Sequence, residues 1–224
     1  IKGPATVGIL THAMKKRASS ISLDSSAMSA QENIETMIRL CEIAAQEGLP
    51  LTLEMEAGVD DGVTPLEETR SLFGEVERQM PGRLALWAPG VGTKHGLGND
   101  LGGFSPDAIR AHRELASELA GRPIGIALHG SSGLTEEQLA AGVAAGVAKV
   151  NWSSESLLIR SEAAASFFDQ NRERLGKSHP DFKATAMDNG LQQSISAVYV
   201  PKVKARIESL NGKGQASDFL KTLQ

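Results

Sequence analysis

Apolar residues along the chain alternate between two rhythms. Short runs of β type stand near 20–23, 51–56, 84–88, 124–128 and 147–150, bounded by polar and glycine residues. Between them, apolar positions recur three and four apart, as on one face of a helix. The helices expected on this basis cover 4–18, 31–47, 66–79, a stretch opening at Pro106, and a stretch from Thr135 to the residue before Gly146. Beyond the last strand they cover 154–175 and 194–210, and the tail 211–217 is rich in Gly and Ser. Local chemistry marks several ends. Lys15, Lys16 and Arg17 close the first helix where its dipole favours cations. Ser29 and Glu32 have the spacing of a capping box, and Ser105 precedes Pro106 as a cap precedes a first turn. Ile34, Met37, Ile38, Cys41 and Ala45 line one face of the second helix, so Cys41 is expected in the core rather than as a nucleophile. His112, in the helix after the 84–88 strand, is expected to be exposed, and His179, in a loop before Pro180, carries no signal.

A helix after every strand argues for a parallel α/β fold whose chemistry gathers where the strands end. The stretch 124–156 shows this most clearly. His129 leads from one strand into Gly-Ser-Ser-Gly, and Asn151, Ser153 and Ser154 end the next strand and open a helix. Glycine N–H groups, serine hydroxyls and a helix N-terminus suit an anion, so the two loops read either as a phosphate cradle with an imidazole at its rim or as an ordinary pair of βα connections. Likewise, Leu51–Glu56 runs into the acidic loop 58–62, and the strand at 84–88 runs into a glycine-rich loop carrying His95. Five strands do not close a barrel of eight. The pattern is that of an open doubly wound sheet or of a barrel lacking about three βα units.

Composition narrows the function. With 23 basic and 27 acidic residues in 224, and no basic cluster beyond 15–17, the chain is a poor partner for nucleic acid. A lone cysteine argues against a disulfide framework and for a reducing, cytoplasmic setting. No apolar run reaches the ~20 residues of a spanning helix, and no signal-peptide pattern opens the sequence, so a membrane is not expected either. Its start at Ile1 suggests that residues upstream are absent. One domain over 1–224 is expected, with C-terminal helices from about 180.

Four blocks in order, LEMEAGVDDGV, GTKHGL, ALHGSSG and GVAKVNWSSES, resemble the class II, zinc-dependent fructose-bisphosphate and tagatose-bisphosphate aldolases over about residues 20–175. The resemblance implies a (β/α)8 TIM barrel in which the five strands are strands four to eight, the N-terminal strands being absent. It implies a lyase that uses Zn2+ to form or cleave a ketose bisphosphate through the enediolate of dihydroxyacetone phosphate, as in glycolysis and related carbohydrate metabolism. His95 and His129 correspond to catalytic zinc ligands. Asp24 and Glu56 correspond to carboxylates of a second metal position, and Glu56 can also approach the catalytic zinc. Gly96, Gly130, Ser132, Asn151 and Ser154 correspond to positions that bind the phosphosugar and a monovalent cation, K+ or Na+, and Ser153 joins them in the cradle. Family members are usually homodimers or homotetramers.

The sequence departs from the family in four places. The strand-three block L-H-x-D-H is missing; its nearest echo is THAMKK, where His12 would stand for the ligand and Thr11 for the acid. The preferred reading makes 4–18 the helix before strand three, with that strand and its helix lost near Arg17 to Ser20, where the passage from helix to strand leaves little room for a turn. The loop G-G-E-E-D-G becomes Gly58-Val59-Asp60-Asp61-Gly62, so Asp60 stands in, one methylene short, for the glutamate that moves the substrate proton; otherwise 60–61 is a solvated turn. Asn151-Trp152-Ser153-Ser154-Glu155 is nearer the tagatose-type N-V-A-T-E, and no arginine for a second phosphate is found among 184–192. The competing readings are a phosphosugar-binding or regulatory homologue with impaired catalysis, and an unrelated metal-free barrel isomerase that would leave both histidines idle.

Overall fold

Five parallel strands pair in sequence order: β1 (Ser20–Ser22), β2 (Thr52–Glu56), β3 (Leu84–Ala88), β4 (Gly125–Leu128) and β5 (Val147–Val150). The structure, a computed structural model, describes residues 5–25, 28–49, 52–57, 62–97, 103–186 and 188–221. The chain divides into two compact units, one of residues 1–131 and 141–151 and the other of 132–140 and 152–224. The observed strands fall where the sequence rhythm put them. An open half of a barrel, rather than a closed ring of eight, is what the sheet shows.

In the first unit, α1 (Ala5–Lys15) packs against α2 (Ala30–Gln46), and α5 (Pro106–Ala120) packs on β4 and on the pieces of a broken helix over 66–79, which α2 also meets. Met14, Leu23, Met37, Leu40, Leu53, Met55, Phe73, Trp87, Ile109 and Ile126 are fully enclosed, as is Cys41. Burial pushes the Cys41 thiol up to about 12, an inert core thiol as the helical spacing predicts. The expected capping box forms, with Ser29 N–H donating to Glu32 at 2.8 Å and Ser29 Oγ accepting from Glu32 N at 3.3 Å. Ser105 Oγ likewise accepts from Ala108 N at the head of α5. The tight passage from α1 to β1 is made by Arg17 in the left-handed region (φ 62°), with Ala18 N–H returning to Ala13 O at 3.0 Å. That is a Schellman closure, which turns the chain in two residues within the little room that the sequence leaves there.

Two features of this unit differ from expectation. The helix over 66–79 is interrupted: α3 (Leu66–Glu68) widens into a π-helical stretch, Thr69–Gly74, before α4 (Glu75–Gln79). And His112 is buried, only 1% exposed, not on the surface. Residues 109, 112, 115 and 116 share one face of α5, so the spacing that buries Ile109 and Leu115 also carries the imidazole inward. His112 is accommodated because every polar atom around it is satisfied. The Thr64 carbonyl, 2.9 Å from Nε2, can only accept, so Nε2 carries the proton. Nδ1 then accepts from Thr69 Oγ1 at 2.7 Å, and Thr69 in turn accepts from the Trp87 indole at 3.1 Å.

Burial lowers the pKa of His112 from its ordinary 6.5, against the opposing pull of the Thr64 carbonyl. The unfolded chain therefore takes up a proton below about pH 6.5 that the folded chain refuses, and stability is lost as pH falls. Urea midpoints taken from pH 7.5 to 5.5 should fall more steeply for the wild type than for His112→Gln, by at most about 1.4 kcal/mol per pH unit, the limit for one proton.

The second unit pairs α7 (Ser154–Gln170) with α9 (Asp188–Ser209) and includes the start of α6 (Glu136–Ala145), α8 (Phe182–Ala186) and α10 (Ala216–Lys221). α7 stops earlier than expected, because the Asn171 side chain caps the Phe167 carbonyl at 2.8 Å and a 3-10 turn, Arg172–Leu175, follows. α9 starts six residues before the apolar pattern does and continues through Pro201. Trp152 is its fulcrum. The indole stacks on Tyr199 (6.0 Å, 5° between planes), lies 5.1 Å from the Arg206 guanidinium and donates to Glu155 at 2.7 Å. Arg206 closes the triangle on Glu155 at 2.6 Å beside a cleft of about 240 Å³. No helix among the described residues is long and apolar enough to cross a membrane.

Candidate functional site

The polar residues of the first unit collect at the ends of β2, β3, β4 and β5. Apolar and polar residues alternate along β2, yet Glu54 and Glu56 are buried alongside Leu53 and Met55. Two apart on one strand, these carboxylates face the same side. A carboxylate excluded from water must be paired. Glu54 is fully satisfied: Oε1 accepts from Ser22 Oγ and lies 3.0 Å from His129 Nε2, and Oε2 accepts from Lys149 Nζ at 2.6 Å. Burial pushes its pKa up, but the hydrogen bonds and charges of His129 and Lys149 outweigh that and hold it at about 2.

His129 follows β4 and is the residue on which the elements converge. Besides Glu54, its Nε2 lies 2.9 Å from the amide nitrogen of Asn151 at the end of β5, and its Nδ1 lies 3.7 Å from Glu56 Oε1. Burial disfavours a charged ring. The Glu54 hydrogen bond and the negative charge of Glu56 and Glu54 nevertheless raise its pKa above 6.5. The loop after β3 brings His95 against it, ring centroids 5.7 Å apart at 73°. Close contacts with the end of β4 hold that loop. Thr93 Oγ1 donates to the His129 carbonyl at 2.7 Å, and Gly130, left-handed at φ 63°, lets the chain pass so close that a Cβ would sit 2.7 Å from the Lys94 carbonyl oxygen.

A cavity of about 10 Å³, room for one small ion or water, opens between Glu56, Thr93, His95, His129 and Gly130. The spacing of Nδ1 and Glu56 Oε1 is too long for a hydrogen bond and close to the ~3.4 Å separating two ligands of a tetrahedral zinc. Imidazole and carboxylate are also zinc's usual donors, so these residues fit such an ion. A third close ligand is not assembled: among the described residues no group of three His, Cys, Asp or Glu has a metal-holding arrangement.

Of the other residues singled out from sequence, Asp24 follows β1, partly buried, and its neighbour Ser25 donates to the Glu56 carbonyl at 2.8 Å. Gly96, at φ 105°, follows His95. Asp60 lies outside the described residues. Ser132, Ser153 and Ser154 belong to the second unit, where Ser132 Oγ accepts from Glu155 N at 3.1 Å and Ser153 precedes α7 without a side-chain cap. His12, on α1, is exposed. Glu54 and Lys149 were missed. Their signal was a charge within an otherwise apolar run, in L-E-M-E of the interior strand β2 and in V-A-K-V of the edge strand β5.

Gly130→Ala puts a methyl into the Lys94 backbone and forces a left-handed alanine. It should displace the 93–95 loop and, for zinc added as a probe of the donors around the cavity, lower the affinity by roughly tenfold or more, as changes that misplace ligands do. Titration against a chromophoric chelator measures this.

The sequence model of a family described as class-II fructose-bisphosphate aldolase matches residues 5–215. The chain is 27% identical over 209 residues to the fructose-bisphosphate aldolase of Streptococcus pneumoniae, covering 88% of this chain and 66% of that protein. It is 29% identical over 157 residues to that of Streptococcus pyogenes, covering 66% of this chain and 50% of that protein. The chain thus spans about half to two thirds of the length of these relatives. Among solved structures, Campylobacter jejuni fructose-bisphosphate aldolase superposes with a TM-score of 0.68 at 20% identity, covering 92% of this chain and 64% of that one. The YdjI aldolase of Escherichia coli gives 0.68 at 17%, covering 93% and 67%. At those identities the likeness is one of fold.

Proposed function

Because the chain belongs to the class-II fructose-bisphosphate aldolase family, we propose that it is a zinc-dependent lyase that forms or cleaves a ketose bisphosphate. The observation that carries this reading is the meeting of His95 and His129, 5.7 Å apart, over a cavity that Glu56 shares. His129 and Glu56 would hold the zinc, with His95 closing on it from the facing loop to complete the set, and Asp24 and Glu56 would serve a second metal position. Bound there, zinc supplies Lewis acidity to the substrate ketone oxygen. The five-stranded sheet is read as strands four to eight of a (β/α)8 barrel, whose chemistry lies at the strand ends.

The protein's own groups do the rest. Asn151 presents an amide beside His129 for a substrate hydroxyl or carbonyl, and Asp60 is assigned the transfer of the substrate proton. Gly96 and Gly130 offer backbone N–H groups that an anion or a phosphate ester can approach without a side chain in the way. In the second unit, Ser132, Ser153 and Ser154 are assigned to phosphate on their own chemistry, hydroxyls together with the head of α7. A monovalent cation, K+ or Na+, is assigned to the same phosphate end.

A second reading, a phosphosugar-binding homologue with weak catalysis, is favoured by the shortened loop in which Asp60 replaces a glutamate. Zinc analysis combined with a retro-aldol assay on fructose and tagatose 1,6-bisphosphates tests both. The lyase reading expects bound zinc and chelator-sensitive cleavage of at least one sugar. Zinc without cleavage of either transfers the assignment to the binding protein, and a chain that takes up no zinc overturns the metal site.

A further inference from the structure

Lys149 and Glu54 form an ion pair that the proposed chemistry does not use. Glu54 is wholly enclosed, yet it is tied to three separate strands or strand ends: to Ser22 on β1, to Lys149 on β5 and to His129 after β4. An enclosed carboxylate is costly to bury even beside Lys149, whose side chain stays 34% exposed, and replacing such a charge by an apolar side chain often stabilises a protein. Its presence beside the histidine therefore points to a role other than stability.

Geometry supplies the role. Nε2 of His129 is contested, since the Glu54 carboxylate at 3.0 Å calls for an N–H there, whereas an Asn151 amide N–H at 2.9 Å calls for a lone pair. The contact with an ionised acceptor is about twice as strong as a neutral one, so the carboxylate decides. Nε2 carries the proton. The Asn151 amide then turns by half a revolution to offer its oxygen to that proton, which frees its two N–H donors. With Nε2 protonated, the lone pair of a neutral ring resides on Nδ1, the atom that lies 3.7 Å from Glu56 across the cavity.

We propose that Lys149 and Glu54 are positioning residues, the ammonium seating the carboxylate and the carboxylate fixing the His129 ring so that Nδ1, and not Nε2, is presented to the metal. The inference rests on the zinc site proposed above. Partners of this outer kind typically govern metal affinity by 10–100-fold.

The test has two arms. In the zinc-loaded wild type, 15N NMR of the histidine side chains should show His129 protonated at Nε2 and metal-bound at Nδ1; metal on Nε2 overturns the proposal without any variant. Chelator competition on Lys149→Met should show zinc affinity reduced 10–100-fold, with Lys149→Arg recovering most of it because the charge is restored. Affinity equal to wild type in a folded Lys149→Met protein also overturns it. His129→Ala separates this failure from that of the zinc site: if it too binds zinc as tightly as wild type, the metal assignment itself falls, whereas a loss confined to His129→Ala removes only the positioning role.

Discussion

His129→Ala is expected to abolish zinc binding and aldol cleavage together. The substitution deletes a side chain that meets Glu54, Glu56 and Asn151 at once and against which the His95 ring packs. Glu54 keeps Ser22 and Lys149, so the sheet retains its buried pair and the fold should survive. Lewis-acid assistance is worth several kcal/mol of transition-state stabilisation, which at 1.36 kcal/mol per tenfold is a rate loss on the order of 10³ or more. Metal content by atomic absorption and the retro-aldol rate measure the two effects on one preparation. Wild-type zinc content in this variant would remove the histidine from the site.

Gly92→Ala is expected to be the most damaging single change to stability. Gly92 is left-handed at φ 82°, and a Cβ built there would lie 1.7 Å from the Gly103 carbonyl oxygen, a backbone atom that cannot rotate aside. The same residue donates to the Gly62 carbonyl at 2.8 Å, while Ser105 N–H returns to Val91 O at 2.9 Å, so three loops meet at this point. Left-handed strain alone costs about 1–2 kcal/mol, and the enforced separation of the loops should raise the total to roughly 4 kcal/mol or more, a large share of a typical 5–15. Gly82 provides the control. It is equally left-handed at φ 77°, but nothing lies within 4 Å of its added Cβ, so Gly82→Ala should show the strain term alone. Urea midpoints of the two variants should differ widely; similar midpoints would mean that the 92–103 contact yields at little expense.

How much of this was legible depends on whether the signal was local. Strand positions, the Ser29–Glu32 box and the Ser105 cap are read from residues within a few positions of one another. The two histidines stood out because each lies in a glycine-rich exit that follows a strand. What escaped was set by distant partners. Glu54 has its partners far along the chain, His129 at 75 positions and Lys149 at 95, and they show why it is buried. His112 looked like a surface histidine on an amphipathic helix until Thr69, Thr64 and Trp87 supplied hydrogen bonds from other elements. The Arg17 turn was missed because a left-handed arginine has no local signature, unlike a left-handed glycine.

The chain contains two tryptophans, Trp87 in the first unit and Trp152 in the second. Trp87 is sealed in the core, while Trp152 is partly exposed with a guanidinium beside its ring. Intrinsic fluorescence is therefore a sum of a blue-emitting and a redder component, one from each half. With Trp152 replaced by phenylalanine, the remaining emission would follow melting of the sheet alone, and its comparison with the wild-type trace would reveal whether the helical C-terminal portion unravels in the same step.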